Sequence, residues 1–113
     1  MTQQQQPTSI REVMEGMPNA FRPERAQGVK AVIQFNFTGQ EPGNWVVTID
    51  QGKCEVKEGT ADNPNVTINS PSEVWLKIVR RELDGASAFM SGQFTFTGDM
   101  GILMQMPNWF QQP

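Results

Sequence analysis

The sequence predicts an α+β fold in which a five-stranded, mostly antiparallel sheet has one face covered by helices. Five short segments alternate apolar and polar residues, so each would present one apolar and one polar face. Other stretches carry apolar residues at the three- and four-residue spacing of an amphipathic helix. Because the apolar face of such a sheet must be buried, we expect these helices to cover it.

The length and composition fit one small domain. We assign residues 8–113 to that domain and expect residues 1–7, which are rich in glutamine, to be a disordered tail. One cysteine permits no internal disulfide, which favours a reducing, cytoplasmic location. The net charge is -3 and the nine lysines and arginines are scattered, which argues against nucleic acid as a partner.

A short helix is predicted at the start of the domain. Ser9 and Glu12 have the spacing of a capping box, in which the serine side chain satisfies a free amide of the first turn. One stripe of this helix is apolar and consists of Ile10, Val13, Met14 and Met17. We expect Pro18 to end the helix, because proline lacks the amide hydrogen that the helix needs.

The strand segments follow from about Lys30 onward, where the apolar period changes to two. Turns are predicted at residues 39–44, at Gln51-Gly52 and at residues 61–64 from their glycine, proline and asparagine content. The side chains expected on the apolar face of the sheet are Ile33, Phe35, Phe37, Trp45, Val47, Ile49, Cys54, Val56, Val66, Ile68, Phe94 and Phe96.

The main covering helix is predicted to start at Ser70, with Pro71 in the first helical position and Glu73 completing a capping box. Gly85 is predicted to end it, and residues 86–90 to form a short second helix. The apolar stripe of the main covering helix contains Val74, Trp75, Ile78, Val79 and Leu83.

The last predicted helix begins near Asp99, whose side chain can cap it, and is broken at Pro107. It carries Met100, Ile102, Leu103, Met104 and Met106, and so is almost entirely apolar. Two interpretations stay open at this point. Methionine fills gaps in ordinary cores, and it also suits a surface that adapts to varied apolar ligands.

The residues offer no catalytic constellation. The chain has no histidine and no tyrosine, so the commonest general base and the commonest metal ligand are absent. Cys54 lies in the middle of an apolar strand face, where a buried thiol is more common than a nucleophile. We therefore predict that the protein is not an enzyme and has no cofactor and no metal site.

Two segments resemble a known family. The C-terminal part is similar to the signature of the sterol carrier protein type 2 (nonspecific lipid-transfer protein) family. It consists of Ala88-Phe89-Met90-Ser91-Gly92, an alternating strand and then Gly98-Asp99-Met100. The passage from Val66-Thr67-Ile68 into residues 70–73 matches as well, and the resemblance covers roughly residues 8–106. The ending Gln111-Gln112-Pro113 is not a peroxisomal signal, which favours a stand-alone, prokaryote-like member.

The resemblance implies an apolar tunnel between the sheet and the helices, which binds a fatty acid, acyl-CoA, phospholipid or sterol-like molecule without chemistry. Gln93, Thr95 and Thr97 stand where members often carry lysine, which weakens binding of a phosphate or CoA headgroup. The expected wall residues are Phe35, Trp75, Ile78, Val79, Phe89, Met90, Met100, Leu103 and Met104.

The resemblance also leaves a second function open, that of an accessory module which presents an apolar substrate or docks a partner protein in a lipid or quinone pathway. Trp109 and Phe110 distinguish the two. Folded back, they would form a lid over the tunnel; projecting, they would form an interface. The expected partners are a lipid or another apolar small molecule, with transient membrane contact and a monomer or weak dimer.

Overall fold

A computed structural model describes residues 7–110, so residues 1–6 of the predicted tail and residues 111–113 lie outside it. The helices are α1 (Ile10–Ala20), α2 (Ser72–Val79), α3 (Gly85–Met90) and α4 (Met100–Gln105). The strands are β1 (Ala31–Thr38), β2 (Gly43–Asp50), β3 (Lys53–Glu58), β4 (Val66–Pro71) and β5 (Thr95–Gly98). Short 3-10 segments span Pro23–Arg25 and Met106–Trp109.

The five strands form one sheet in the order β3-β2-β1-β4-β5. Strands β1 and β4 are parallel, and the other neighbouring pairs are antiparallel. Phe35 on the central strand lies opposite Trp45 of β2 on one side and Ile68 of β4 on the other. The predicted α+β fold with a mostly antiparallel sheet is therefore confirmed.

The parallel pair requires the chain to pass from β3, at one edge, across to the far side of β1. Gln34 receives this connection on the sheet face that the helices do not cover. Its side-chain amide nitrogen donates to the carbonyl oxygen of Gly59 at 3.1 Å, and its side-chain oxygen accepts from the amide of Ala61 at 2.7 Å. Gln34 is consequently buried although it lies on the polar face of its strand.

The helices cover the other face of the sheet. Helix α1 packs against β3 and α2, and both α2 and α4 pack against β4. Ile10 and Met14 of α1 are fully buried and join the apolar strand residues in one core. The predicted apolar stripe of the first helix is confirmed.

Helix α1 is capped from two directions. Ser9 Oγ accepts a hydrogen bond from the amide of Glu12 at 3.1 Å, as the capping-box spacing predicts. The carboxylate of Glu41, in the turn between β1 and β2, accepts from the amides of Ile10 and Arg11 at 2.7 and 3.0 Å. These three bonds satisfy amides that a helix start otherwise leaves free.

The prediction that Pro18 ends α1 is wrong, because the helix continues through Pro18 to Ala20. Pro18 lies in the last turn, where the missing amide hydrogen removes one bond near the end of the helix and not from its middle.

The capping box predicted at Ser70 is also wrong. Strand β4 continues to Pro71, and α2 begins at Ser72 with no side-chain cap. Ser72 Oγ instead accepts from the amide of Glu41 at 2.8 Å, and a carboxylate oxygen of Glu73 accepts from the amide of Gln40 at 3.3 Å. The polar residues at the start of α2 therefore hold the β1–β2 turn.

Helix α2 ends at Val79, so the prediction that Gly85 ends it is wrong. Arg81 has a left-handed backbone with φ of 62°. Its amide bonds the carbonyl of Ile78 at 3.1 Å, and the amide of Glu82 bonds the carbonyl of Lys77 at 2.9 Å. This is the Schellman pattern, which usually places glycine where Arg81 stands.

The elements around β5 agree with the prediction. Gly98 has a φ of 110°, and a side chain there would run into the backbone of Asn65 and Val66. Asp99 caps α4 by accepting from the amide of Ile102 at 3.2 Å. The α-helical part ends at Gln105, before Pro107.

We expect Glu41→Ala to lower the free energy of unfolding by about 1–2 kcal/mol, because two amides of α1 lose a charged acceptor. Urea denaturation followed by circular dichroism measures this change. Glu55→Ala is the matched control, since Glu55 is exposed on the edge strand β3. Equal losses in the two variants would contradict the capping role.

Candidate functional site

A series of aromatic rings leads from the core to the surface on the helix-covered side of the sheet. The ring centroids of Phe35 and Trp75 are 5.4 Å apart, and those of Trp75 and Phe94 are 5.7 Å apart. Phe89 continues the series at 5.7 Å from Phe94 and 5.0 Å from Phe96. We call these five residues the aromatic series.

The depth of the rings changes along the aromatic series. Phe35 is 0% exposed, whereas Phe89 is 40% exposed. Trp75, between them, is partly buried and meets its aromatic neighbours edge to face, an arrangement that aromatic rings favour. The series therefore forms a continuous apolar path between the centre of the fold and its surface.

The sheet and two helices position these rings. In the register of the sheet, Phe35 of β1 lies opposite Ile68 of β4, which in turn lies opposite Phe96 of β5. Helix α2 supplies Trp75 and α3 supplies Phe89, so the path runs from the middle of the sheet towards the β5 edge.

Large apolar side chains that are close in sequence to Phe89, the outer end of this path, are also exposed. Met90 of α3 is 85% exposed, and Met100 and Met104 of α4 are 56% and 71% exposed. Met100 and Met104 are one turn apart and share a face of α4. Together with Phe89 we call these residues the apolar surface.

Few charges lie in this part of the chain. Between residues 85 and 110 the sole ionisable side chain is Asp99, which is engaged in capping α4.

The structure brings together three of the predicted wall residues, Phe35, Trp75 and Phe89, through Phe94. Ile78 and Leu103 are partly buried and pack against the core, and Val79 is also partly buried. The four residues of the apolar surface stand outside the core at the surface. The tunnel itself and the role of each wall residue remain predictions.

Phe94 and Phe96 were predicted as sheet core and not as part of the site. Phe94 is part of the buried core and Phe96 packs against it, as predicted. Their rings also join Phe89 to the interior, with Phe94 contacting Trp75 as well. The alternation of the strand places them on the same face as Phe35, and this parity is the signal that could have assigned them to the site.

The segment after Pro107 folds back onto the domain. Trp109 is buried, and its carbonyl oxygen accepts a hydrogen bond from the amide of Arg22 at 2.7 Å. Phe110 forms a bridge with Phe21, and their ring centroids are 5.7 Å apart. Neither side chain projects away from the fold.

The thiol of Cys54 lies on β3, at the opposite edge of the sheet from β5. Burial raises the pKa of Cys54 from its ordinary value of 9.0 to about 11, so the thiol is protonated at neutral pH. Within residues 7–110 no cluster of three or more histidine, cysteine or acidic residues is placed to hold a metal ion.

The chain matches the model of the SCP-2 sterol transfer family over residues 11–111. This chain belongs to that family. None of the helices within residues 7–110 is long and apolar enough to cross a membrane. In this fold the segment around Phe89 precedes strand β5, and Gly98 is the last residue of that strand.

The chain is similar to one part of several longer proteins. The chain is 25% identical to hydroxysteroid dehydrogenase-like protein 2 from Xenopus tropicalis over 103 residues, which cover 90% of this chain and 25% of that protein. It thus spans about a quarter of the length of that relative. Human sterol carrier protein 2 is 29% identical over 86 residues, covering 76% of this chain and 16% of that protein.

Solved structures share the fold. The sec-alkylsulfatase Pisa1 from Pseudomonas sp. has a TM-score of 0.78 at 17% identity, over 88% of this chain and 16% of that one. The palmitated sterol carrier protein 2 like 2 from Aedes aegypti has a TM-score of 0.72 at 23% identity, over 94% of this chain and 99% of that one.

We expect the alkylation rate of Cys54 by iodoacetamide to rise with pH around a midpoint of about 11, compared with 9.0 for an ordinary thiol. Because the unfolded thiol ionises first, this group also makes the free energy of unfolding fall as pH rises from 9.0 to about 11. Stopped-flow alkylation of the folded and the urea-unfolded chain measures both midpoints. A folded midpoint at or below 9.0 would show an activated thiol and contradict this assignment.

Proposed function

We propose that this chain is a non-catalytic lipid-binding domain that holds an acyl chain of the fatty-acid type between the sheet and helices α2 to α4. The observation that supports this most directly is the aromatic series, which joins fully buried Phe35 to Phe89 at the surface. A palmitated structural neighbour with the same fold adds support.

The energy of such binding would come from removing methylene groups from water. Each buried methylene contributes about 0.8 kcal/mol, so about 12 of them would contribute roughly 10 kcal/mol before any costs. The association and ordering of a flexible chain offset much of this gain. Binding in the micromolar range, about -8 kcal/mol, is therefore the expected outcome.

The selectivity would depend on the size of the apolar chain more than on its headgroup. Residues 85–110 offer no cation to a carboxylate or a phosphate, since Asp99 is their one ionisable side chain. Within these residues a polar headgroup would therefore find no oppositely charged partner. An apolar wall discriminates ligands that differ by one methylene by a modest factor.

The side chains near the aromatic series support a non-catalytic role. The aromatic rings have no histidine beside them because the chain has none. Cys54 is protonated at neutral pH and lies at the far edge of the sheet. A bound ester or thioester would thus meet no activated nucleophile along the aromatic series.

We expect Met104→Glu to weaken palmitate binding by about tenfold or more, because a carboxylate would stand beside the entering chain and lose hydration when it is bound. Displacement of a fluorescent fatty acid and native mass spectrometry measure the affinity. Gln105→Glu is the matched control: it adds the same charge at the next residue of α4, which is also exposed.

Equal weakening in the two variants would show a general charge effect and contradict a role for Met104. If the unmodified chain neither takes up palmitate nor carries lipid after mild purification, the proposed function is wrong. If the chain binds no lipid but binds another protein in a pull-down experiment, the alternative of an accessory interaction module is favoured.

Within this proposal the segment of Trp109 and Phe110 acts as a lid. Its contacts with Phe21 and Arg22 hold it back against the domain, so it does not project as an interface would. We expect Phe110→Ala to speed dissociation of a bound fatty acid by several-fold, because the segment loses its ring contact with Phe21. Stopped-flow transfer to vesicles measures the rate.

Asn108→Ala is the control for the lid, since Asn108 is exposed in the same 3-10 segment. Unchanged dissociation in Phe110→Ala, with the same thermal stability as the unmodified chain, would rule out a lid.

A further inference from the structure

The two edges of the sheet differ in charge. The outer strand β3 carries Lys53, Glu55, Lys57 and Glu58, and such charges keep an edge strand from pairing with another chain. The other outer strand, β5, has the sequence Thr-Phe-Thr-Gly and carries no charge. Within residues 7–110 no strand pairs with its outer side.

The hydrogen-bond register shows which backbone groups of β5 face outward. The amide of Asp99 donates to the carbonyl of Asn65 at 2.9 Å, and Thr97 and Thr95 follow at alternate positions opposite Thr67 and Asn69. Because antiparallel neighbours alternate between bonded and non-bonded pairs, the N–H and C=O of Phe96 point away from β4.

This open edge is self-complementary. If two copies align β5 antiparallel with Phe96 at a twofold axis, the N–H and C=O of Phe96 in each copy bond those of Phe96 in the other. Thr95 of each copy then lies opposite Thr97 of the other, on the face without helices.

The charge distribution also favours a second copy at this edge. The chain has a net charge of -3, yet residues 85–110 contain one ionisable side chain, Asp99. Two negatively charged molecules can therefore approach through the β5 side with little repulsion.

We propose that two copies of this chain pair through the outer edges of β5 and form one sheet that runs across both molecules. A second copy fits this edge better than a lipid surface, since the hydrocarbon of a bilayer offers no partner to the outward N–H and C=O of Phe96. The pairing is independent of lipid binding, because the Thr95 and Thr97 side chains lie on the opposite face of the sheet from the aromatic series.

The test uses sedimentation equilibrium of the full chain over a concentration series. We expect a reversible dimer in the unmodified chain. In T95K/T97K each new lysine would face a lysine of the other copy, so dimer affinity should fall by at least about tenfold. In T95K/T97E each lysine would face a glutamate, and affinity should return to at least that of the unmodified chain.

Glu55→Lys is the matched control, because it changes the net charge by the same amount as T95K/T97K but on the β3 edge. It should leave dimerisation unchanged. Circular dichroism checks that each variant is folded. If T95K/T97K fails this check, T95E/T97E takes its place, because it sets a glutamate opposite each glutamate and should also weaken the dimer. Palmitate binding should persist in T95K/T97K, so a failed dimer test is separate from a failed lipid test.

Three results would overturn the proposal. One is a chain that stays monomeric at millimolar concentration. Another is a dimer that T95K/T97K and T95K/T97E leave unchanged. The third is a monomer that floats with phosphatidylcholine vesicles, which would make a lipid surface the occupant of this side of the molecule.

Discussion

The parallel pairing of β1 with β4 is the constraint on which the rest of the molecule depends. It requires the chain to leave β3 at one edge, cross the sheet and resume on the other side of β1. The buried side-chain amide of Gln34 holds this crossing in place by bonding the backbone of Gly59 and Ala61. Since the crossing uses the face without helices, the other face is left free for α1, α2 and α4.

That division separates two kinds of surface. Near β3 the molecule is charged, with Arg11 of α1 bonded to both Glu15 and Glu58. Near β5 it is apolar and almost uncharged, and the aromatic series reaches the surface there. The exposed ion pairs contribute little stability, so their main effect is on which neighbours the β3 side tolerates. The β5 side has no such protection, in keeping with the functions proposed for it.

Much of the fold could be predicted from the sequence because strand alternation determines which side chains are buried. Phe35, Trp45, Val47 and Ile68 all lie where their parity placed them. The helix ends were harder, since they depend on contacts that are distant in the chain. The spacing from Ser70 to Glu73 is that of a capping box, yet the β1–β2 turn bonds Ser72 and Glu73 instead. No local pattern marks Arg81 as a left-handed helix end, because that position is usually glycine.

The candidate site was predictable in part for the same reason. Trp75 and Phe89 could be assigned from helix position and resemblance, but their connection through Phe94 depends on how α2 and α3 pack over β5. Side-chain parity indicates a face, and it does not indicate which rings on that face will touch. The packing of the helices decides this, and it is a tertiary property.

The β1–β2 turn has a consequence for how the molecule comes apart. Glu41 holds the start of α1 through its carboxylate and the start of α2 through its backbone amide. Neither helix can therefore leave the sheet without releasing the same turn, although α1 and α2 are far apart in the chain. We therefore expect the two helices and the hairpin to lose their structure together, as one cooperative unit. Helices α3 and α4, on either side of β5, lie outside that unit.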